Sequence, residues 1–280
     1  MLFHYVKKIG ISLPKSALWA FGTAWLICEP TQALVSDINI TFEQLVRFSC
    51  YLTVLYVFAD GFLINGFLRR SVKIKSNISD TEVMIQFGEF FKQQGCKVIG
   101  VNDFFDSLVD NRHISKSSLH GQMISNVWGE NSQDWDTCVD AELVGISCVH
   151  EDRRSGKTNR YELGTSIYLE KGEHKFICCA LTRTDTDTLL VSTNTIELQK
   201  SIHTILAKAR IVCANDSLVL PLLGSALGRV GINTSILVHL LLLAIFEESK
   251  KQKITSKITI ILSKDKIDDV NLLSIKRQWS

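Results

Sequence analysis

The sequence predicts an N-terminal two-helix transmembrane hairpin followed by a three-layer α/β/α domain with a mixed sheet. Three observations predict it. Two long apolar runs lie close together within residues 16–68, and charged residues crowd the chain from Arg69 onward. Beyond Thr81, short strand-like runs alternate with helical patterns, which is the signature of an α/β layer architecture.

The first apolar run, 16–36 (SALWAFGTAWLICEPTQALVS), is just long enough to cross a hydrocarbon core of ~30 Å at ~1.5 Å per residue. The second, 42–68 (FEQLVRFSCYLTVLYVFADGFLINGFL), crosses with room for tilt. A short polar turn around Asp37 and Asn39 joins them. A cleaved signal peptide is not expected, because the second run follows at once with no small-residue cleavage site between. A buried hairpin of a soluble protein is the competing reading, and the aromatic content and flanking charges favour lipid. Lys7, Lys8 and Lys15 precede the first run, and Arg69, Arg70, Lys73 and Lys75 follow the second, whereas the connecting turn holds Asp37 and Glu43 and no lysine. The positive-inside rule then places both termini, and the domain beyond the hairpin, in the cytoplasm.

Three ionisable residues fall inside the hairpin: Glu29, Arg47 and Asp60. Folding the chain about residue 38 sets Glu29 beside Arg47. The two either pair or reach separately to the outer interface. Asp60 meets no partner at its own depth, which marks it as a candidate for a helix interface or a water-filled path.

In the remainder, strands are expected at TEVMIQF and KVIGVN, with a helical turn at GEFFKQQG between them. Further strands are expected at 144–149, 165–169, 174–181, 217–223 and 258–262. Helices are expected over 194–209, capped by Ser192 or Thr193, and over 233–250, capped by Asn233 or Thr234. The apolar run in the latter is too short to span a bilayer and reads as a core helix. Domain limits follow as 1–70 for the hairpin, 71–80 for a linker and 81–280 for the α/β domain, with 111–140 as a polar, loop-rich insertion. The formal net charge of +2 gives no basic face for nucleic acid. The eight cysteines show neither metal-ligand nor disulfide spacing, and neighbours such as Cys178 and Cys179 on a strand point to opposite faces. No cofactor or metal is expected.

Near the end of the 217–223 strand, Gly224 and Gly228 let backbone approach a diphosphate closely. The amides of Ser225, Ala226 and Leu227 can share one concavity, and Arg229 can add charge-assisted bonds. Alone, such a strand–glycine-loop–helix is equally a plain turn.

Three segments in order, QFGEFF, KVIGVND and VLPLLGSALGRVG, resemble macro domains, modules that bind ADP-ribose and related nucleotides. The larger combination of NDFFDSLVD, SKSSLHGQ, NRYELGTSIYL and ALTRTD behind a two-helix anchor resembles the membrane-anchored macro-domain effectors of the bacterial Thoeris anti-phage system. The resemblance implies a macro-like fold in which Glu89 takes the adenine amine and residues 223–229, from Leu223 to Arg229, hold the diphosphate. Asn102, Asp103, Asp106 and the segment Ser118, Leu119, His120, Gly121 and Gln122 then meet the distal ribose. The polar groups near Asp103 and Asp106 receive a cationic conjugate such as histidine. Arg183, just past a strand end, is either part of this crevice or a surface arginine.

The resemblance also implies an inner-membrane location, a homo-oligomer, and a TIR-domain partner that makes the messenger from NAD. Members of the wider family that hydrolyse ADP-ribosyl groups carry a triple glycine. Here SSLHGQ stands in that place, with Gly121 its only glycine, so the expectation is sensing without catalysis. Asp103, Asp106 and His120 remain candidates for acid–base work, the alternative being a solvated helix face with His120 as a cap. The rival functions are a membrane-tethered ADP-ribosyl hydrolase and an adaptor with an empty crevice.

Overall fold

A computed structural model describes residues 2–35, 39–75, 81–129, 132–213, 216–225 and 232–279. The chain divides into two compact units, Met1–Val72 with Lys264–Trp279, and Lys73–Ser263.

In the first unit, α1 (Leu2–Leu34) and α2 (Phe42–Ala59) pack along one another, and α2 runs on through a π-helical turn, Asp60–Ile64. The stretch Phe42–Ile64 is, among the described residues, the one helix long and apolar enough to cross a membrane. Thr41 starts it with a capping box, its hydroxyl accepting the Gln44 amide and the Gln44 side chain accepting the Thr41 amide. Helix α1 begins well before the expected position 16, and Pro14 lies inside it. The added turns are held from the side. His4 Nδ1 lies 2.7 Å from Asp268, and the Arg70 guanidinium sits over the Tyr5 ring.

Small residues at four-residue spacing, Ser12, Ser16, Ala20 and Ala24, form the buried stripe of α1. Such a stripe lets two helix backbones approach closely. Thr23 and Tyr56 hydroxyls then meet across the pair at 3.0 Å. Outward-facing side chains such as Leu18, Trp19, Leu26, Tyr51, Leu55 and Phe58 are exposed.

Of the two alternatives for Arg47 and Glu29, the pair does not form: Arg47 pairs with Glu43 at 2.5 Å, one helical turn away, because an i,i+4 partner on its own helix needs no register match between helices. One sequence expectation fails here. Asp60 does have partners: Ser12 donates to one carboxylate oxygen and Asn65 to the other, each at 2.5 Å. Asp37, in the expected turn, lies outside the described residues. The C-terminal helix α7 (Leu272–Trp279) closes this unit, with Arg277 donating to the Leu63 and Ile64 carbonyls that the end of the π turn leaves free.

The second unit is built on a mixed sheet ordered β1-β2-β10-β9-β3-β7-β6, with β8 also pairing β7. Its strands are β1 (Ser71–Lys75), β2 (Glu82–Phe87), β3 (Cys96–Asn102), β6 (Ser166–Lys171), β7 (His174–Thr184), β8 (Val191–Ser192), β9 (Leu218–Pro221) and β10 (Lys257–Leu262). Strands β2, β10, β9, β3 and β7 run parallel, and β6 and β8 run antiparallel to β7. A separate ribbon pairs β4 (Cys148–His150) with β5 (Asn159–Tyr161).

Alternation along β7 separates the layers. Phe176, Cys178 and Ala180 join a core with Trp128, Trp135, Val139 and Leu143, while Cys179 faces Thr204 of α5 (Thr195–Val212) on the opposite side. Helix α6 (Thr234–Lys251) packs on α5, which completes three layers, as expected.

Asn233 caps α6 as expected, but Asn194 caps α5 in place of Ser192 or Thr193, because its side chain alone forms the reciprocal bond with Glu197. The insertion 111–140 is more helical than expected. It holds α3 (Leu119–Met123), a π turn (Ile124–Trp128) and α4 (Ser132–Leu143). The strand expected at 144–149 gives way to a turn after α4, and only Cys148–His150 is extended. Residues 71–75 of the expected linker are strand β1, and 76–80 lie outside the described residues.

Candidate functional site

Five parallel strands point their C-terminal ends to one edge of the sheet, where an α/β sheet opens its ligand crevice. Four of the sequence-predicted segments meet there: Gly88-Glu89 after β2, Leu223-Gly224 after β9, Asn102-Asp103 after β3, and Arg183 near the end of β7. The Gly88 amide binds the Leu262 carbonyl at 3.0 Å, which fixes the β2 exit beside β10. The Glu89 carboxylate is half-exposed and 2.6 Å from Lys92. Gly224 has φ +82°, a conformation only glycine takes without strain. Ser225 turns both its amide and its hydroxyl onto the Leu222 carbonyl, so its amide serves the turn and does not face a shared concavity. Ala226, Leu227, Gly228 and Arg229 lie outside the described residues. Arg183 is half-exposed and 3.8 Å from Glu197 of α5.

The end of β3 differs most from expectation. Asp103 and Asp106 are fully buried, and neither is free to receive a ligand cation. Asp106 accepts the Arg153 guanidinium on both oxygens at 3.2 Å, the Lys157 amide at 2.9 Å and the Asn102 side-chain amide at 2.8 Å. Asn102 returns a bond by accepting the Asp106 amide. Asp103 accepts the Thr184 amide at 2.9 Å and lies 3.5 Å from Arg160. Burial pushes the Asp103 carboxyl up, against the Thr184 amide and the Arg160 charge. Both guanidiniums lie over the Phe104 ring, at 3.9 Å for Arg153 and 4.8 Å for Arg160. Phe105 is held at φ 52°, unusual for a bulky residue, and packs edge-on against Tyr161. A tight turn that buries two carboxylates is thus closed by cations from the 151–161 segment.

The segment Ser118–Gln122 is the start of α3 and its polar groups are engaged locally. Ser118 accepts the Gly121 amide and donates to Ser115, and Gln122 donates to the Ser117 carbonyl. A Cβ on Gly121 would come within 2.3 Å of the Ser115 carbonyl, so glycine is required there by packing. Leu119 packs against the core. His120 is buried against Trp135, and burial lowers its pKa to about 4 despite the nearby Asp106 charge. It is therefore neutral near pH 7 and shut from solvent, which leaves it no role as a surface cap.

Sequence reasoning missed Arg153, Lys157 and Arg160. The one available signal was the basic run DRRSGKTNR following the acidic run NDFFDSLVD. A cavity of about 560 Å³ opens beside the same turn, lined among others by Asp136, Asp140, Leu143, Lys157, Asn159 and Tyr161. The Tyr161 amide there binds the Asp103 carbonyl at 2.8 Å. Lys157 bridges Asp136 and Asp140 at 2.8 and 2.9 Å. No group of His, Cys, Asp and Glu able to hold a metal occurs among the described residues.

The family description "Thoeris protein ThsA, Macro domain" matches residues 83–263. The Thoeris protein ThsA of Bacillus amyloliquefaciens (strain Y2) is 27% identical over 213 residues, covering 72% of this chain and 69% of that protein. Among solved structures, the Oceanobacillus iheyensis macrodomain with ADP superposes with a TM-score of 0.51 at 13% identity, over 75% of this chain and 97% of that one. A single-site mutant of that macrodomain with ADPR gives 0.51 at 14% identity, over the same shares. At these identities the likeness shows the fold, a macro-domain α/β fold.

The buried turn yields a prediction on stability. Asp106→Ala strands the Arg153 charge and should cost ~3–5 kcal/mol of unfolding free energy, whereas Asp106→Ala combined with Arg153→Met should recover much of it. Urea titration of the variants measures both.

Proposed function

The chain belongs to the Thoeris ThsA macro-domain family, and on that premise we propose that it is a membrane effector of anti-phage defence that senses an ADP-ribose-derived messenger. The observation that carries this reading is the convergence of Gly88-Glu89, the Asn102 turn and Leu223-Gly224 at the C-terminal ends of neighbouring parallel strands. Glu89 takes the adenine amine, and the loop from Gly224 to Gly228, apart from the Ser225 amide, holds the diphosphate with Arg229. The Asn102 turn and the start of α3 form the wall at the distal ribose. The ADP and ADPR carried by the Oceanobacillus structures support this ligand class.

Because Asp103 and Asp106 are buried with Arg160 and Arg153, a cationic conjugate such as histidine is assigned to the neighbouring cavity, where it competes with Lys157 for Asp136 and Asp140. Two features support sensing without turnover: the triple glycine of hydrolysing members is absent from the sequence, and Asp103, Asp106 and His120 are buried. The messenger comes from a TIR-domain partner that consumes NAD.

Residues 1–70 form a two-pass hairpin in the bacterial inner membrane, with both termini and the ligand domain, 73–263, on the cytoplasmic side. The span Phe42–Ile64, the exposed apolar flanks of α1 and α2, and the lysines and arginines at their inner ends support that topology. Two helices cannot enclose a pore, so the active form is a homo-oligomer. Glu29, Arg47 and Asp60 couple ligand to membrane by biasing that assembly, at a cost of ~2.5–3.5 kcal/mol for each central charge.

Calorimetry with ADP-ribose tests the site. Gly224→Glu should abolish binding through bulk, like charge and backbone strain, and Glu89→Ala should weaken it by ~1–3 kcal/mol. Unchanged affinity in both variants would place the site elsewhere.

A second test addresses coupling. The full chain should stay with membranes after alkaline carbonate washing. Asp60→Leu should keep that retention and the ligand affinity, yet abolish messenger-dependent depolarisation of cells. Depolarisation at the wild-type level in Asp60→Leu would make this carboxylate incidental.

A further inference from the structure

The loops on either side of α3 and α4 bring three side chains into one hydrogen-bonded line. Asp110 Oδ2 lies 2.8 Å from His113 Nδ1, and His113 Nε2 lies 2.9 Å from Ser155 Oγ. A carboxylate on one ring nitrogen holds the imidazole with its proton on Nδ1. The other nitrogen is then free to accept a hydroxyl proton.

The carboxylate is fixed and charged. Asp110 Oδ1 accepts the amides of Arg112 and His113, each at 2.8 Å. Burial pushes its carboxyl up, but the His113 ring and these amides outweigh that and bring it down to about 2. Exposure is graded along the line: the His113 side chain is 4% exposed, while Ser155 stands in solvent. A shielded base beside an accessible hydroxyl is what nucleophilic attack needs.

Gly156 follows the serine with φ +89°, and a Cβ there would come within 2.7 Å of Asp106 Oδ1 and 3.1 Å of the His113 ring. The amide after a nucleophile is a recurrent oxyanion donor, and no described group accepts a hydrogen bond from that of Gly156. Arg112 and Arg154 are exposed next to the line, and neither has an ion-pair partner among the described residues. Two unpaired guanidiniums favour an anionic substrate.

We propose that Ser155, His113 and Asp110 form a second site, apart from the strand-end crevice, that hydrolyses small anionic carboxylic esters. Ser155 Oγ bonds to the ester carbonyl carbon as its proton passes to His113 Nε2, and the carbonyl oxygen takes the electron pair beside the Gly156 amide. Collapse breaks the bond to the alcohol oxygen, which leaves with the proton from His113. Water then attacks the acyl-serine, giving its proton to His113. The second collapse breaks the bond to Ser155 Oγ, which recovers that proton, and the acid is released. No oxidant, metal or cofactor enters the balance. The site does not rest on messenger sensing.

The test uses the purified full chain in detergent. A fluorophosphonate probe should label Ser155, as located by peptide mass mapping. Para-nitrophenyl acetate and its ring-sulfonated analogue should both be hydrolysed, the sulfonated ester with the lower KM. Ser155→Ala should lose labelling and hydrolysis with unchanged thermal unfolding, and Asp110→Asn should slow hydrolysis by ~100-fold or more. Arg112→Gln with Arg154→Gln should raise KM for the sulfonated ester and leave the neutral one unchanged. The proposal is overturned by failure of the wild-type chain to label, or by ester hydrolysis that survives Ser155→Ala. The three residues would then be a loop clasp.

Discussion

Two buried carboxylates at the end of β3 constrain much of the second unit. Asp103 and Asp106 lie within a turn whose aromatic residues, Phe104 and Phe105, are themselves fully buried. A buried carboxylate is tolerated when it is paired and hydrogen-bonded, and here the partners come from Arg153 and Arg160, with amides from Lys157 and Thr184. That demand pins the 151–161 segment against the strand end. It sets the β4–β5 ribbon beside Asp103 through the Tyr161 amide and leaves the cavity under α4 next to it. The same constraint separates roles that look alike in sequence. Carboxylates facing inward hold the turn, and Asp136 and Asp140 on α4 are held by Lys157 at the edge of the cavity.

The sheet was largely legible because its strands carry dense β-branched runs, such as EVMIQF, CKVIGVN and KITIIL, bounded by glycine or polar residues. Helices α5 and α6 were equally plain from their period, and the cap of α6 from its Asn233. Helix α4 was not, although Trp135, Val139 and Leu143 recur at four-residue spacing and all three are buried. The polar residues between them, DTC and DAE, dominate its composition and read as loop. That Gly88-Glu89, Asn102-Asp103 and Leu223-Gly224 fall at strand ends was foreseen from motif order. The ion pairs that close the turn after β3 were not, since Arg153 and Asp106 are 47 residues apart and no local pattern links them.

Within the first unit the helix pair shows a similar division. The apolar runs were evident, while the stripe Ser12, Ser16, Ala20 and Ala24, which makes the close contact, was hidden among larger residues. Asp60 looked isolated because depth was counted along an ideal fold-back. The start of α1 before Pro14 supplies its partner, Ser12.

The central claim is that an ADP-ribose-type ligand is held by the strand-end crevice of the second unit. Hydrogen exchange of the full chain with and without ADP-ribose, read by peptide mass spectrometry, tests it most directly. The account predicts slowed exchange confined to peptides covering 87–90, 102–106 and 222–231, with the β4–β5 ribbon joining only when the ligand carries a cationic conjugate. Protection absent from all three segments, or located in α5 and α6 alone, would contradict it.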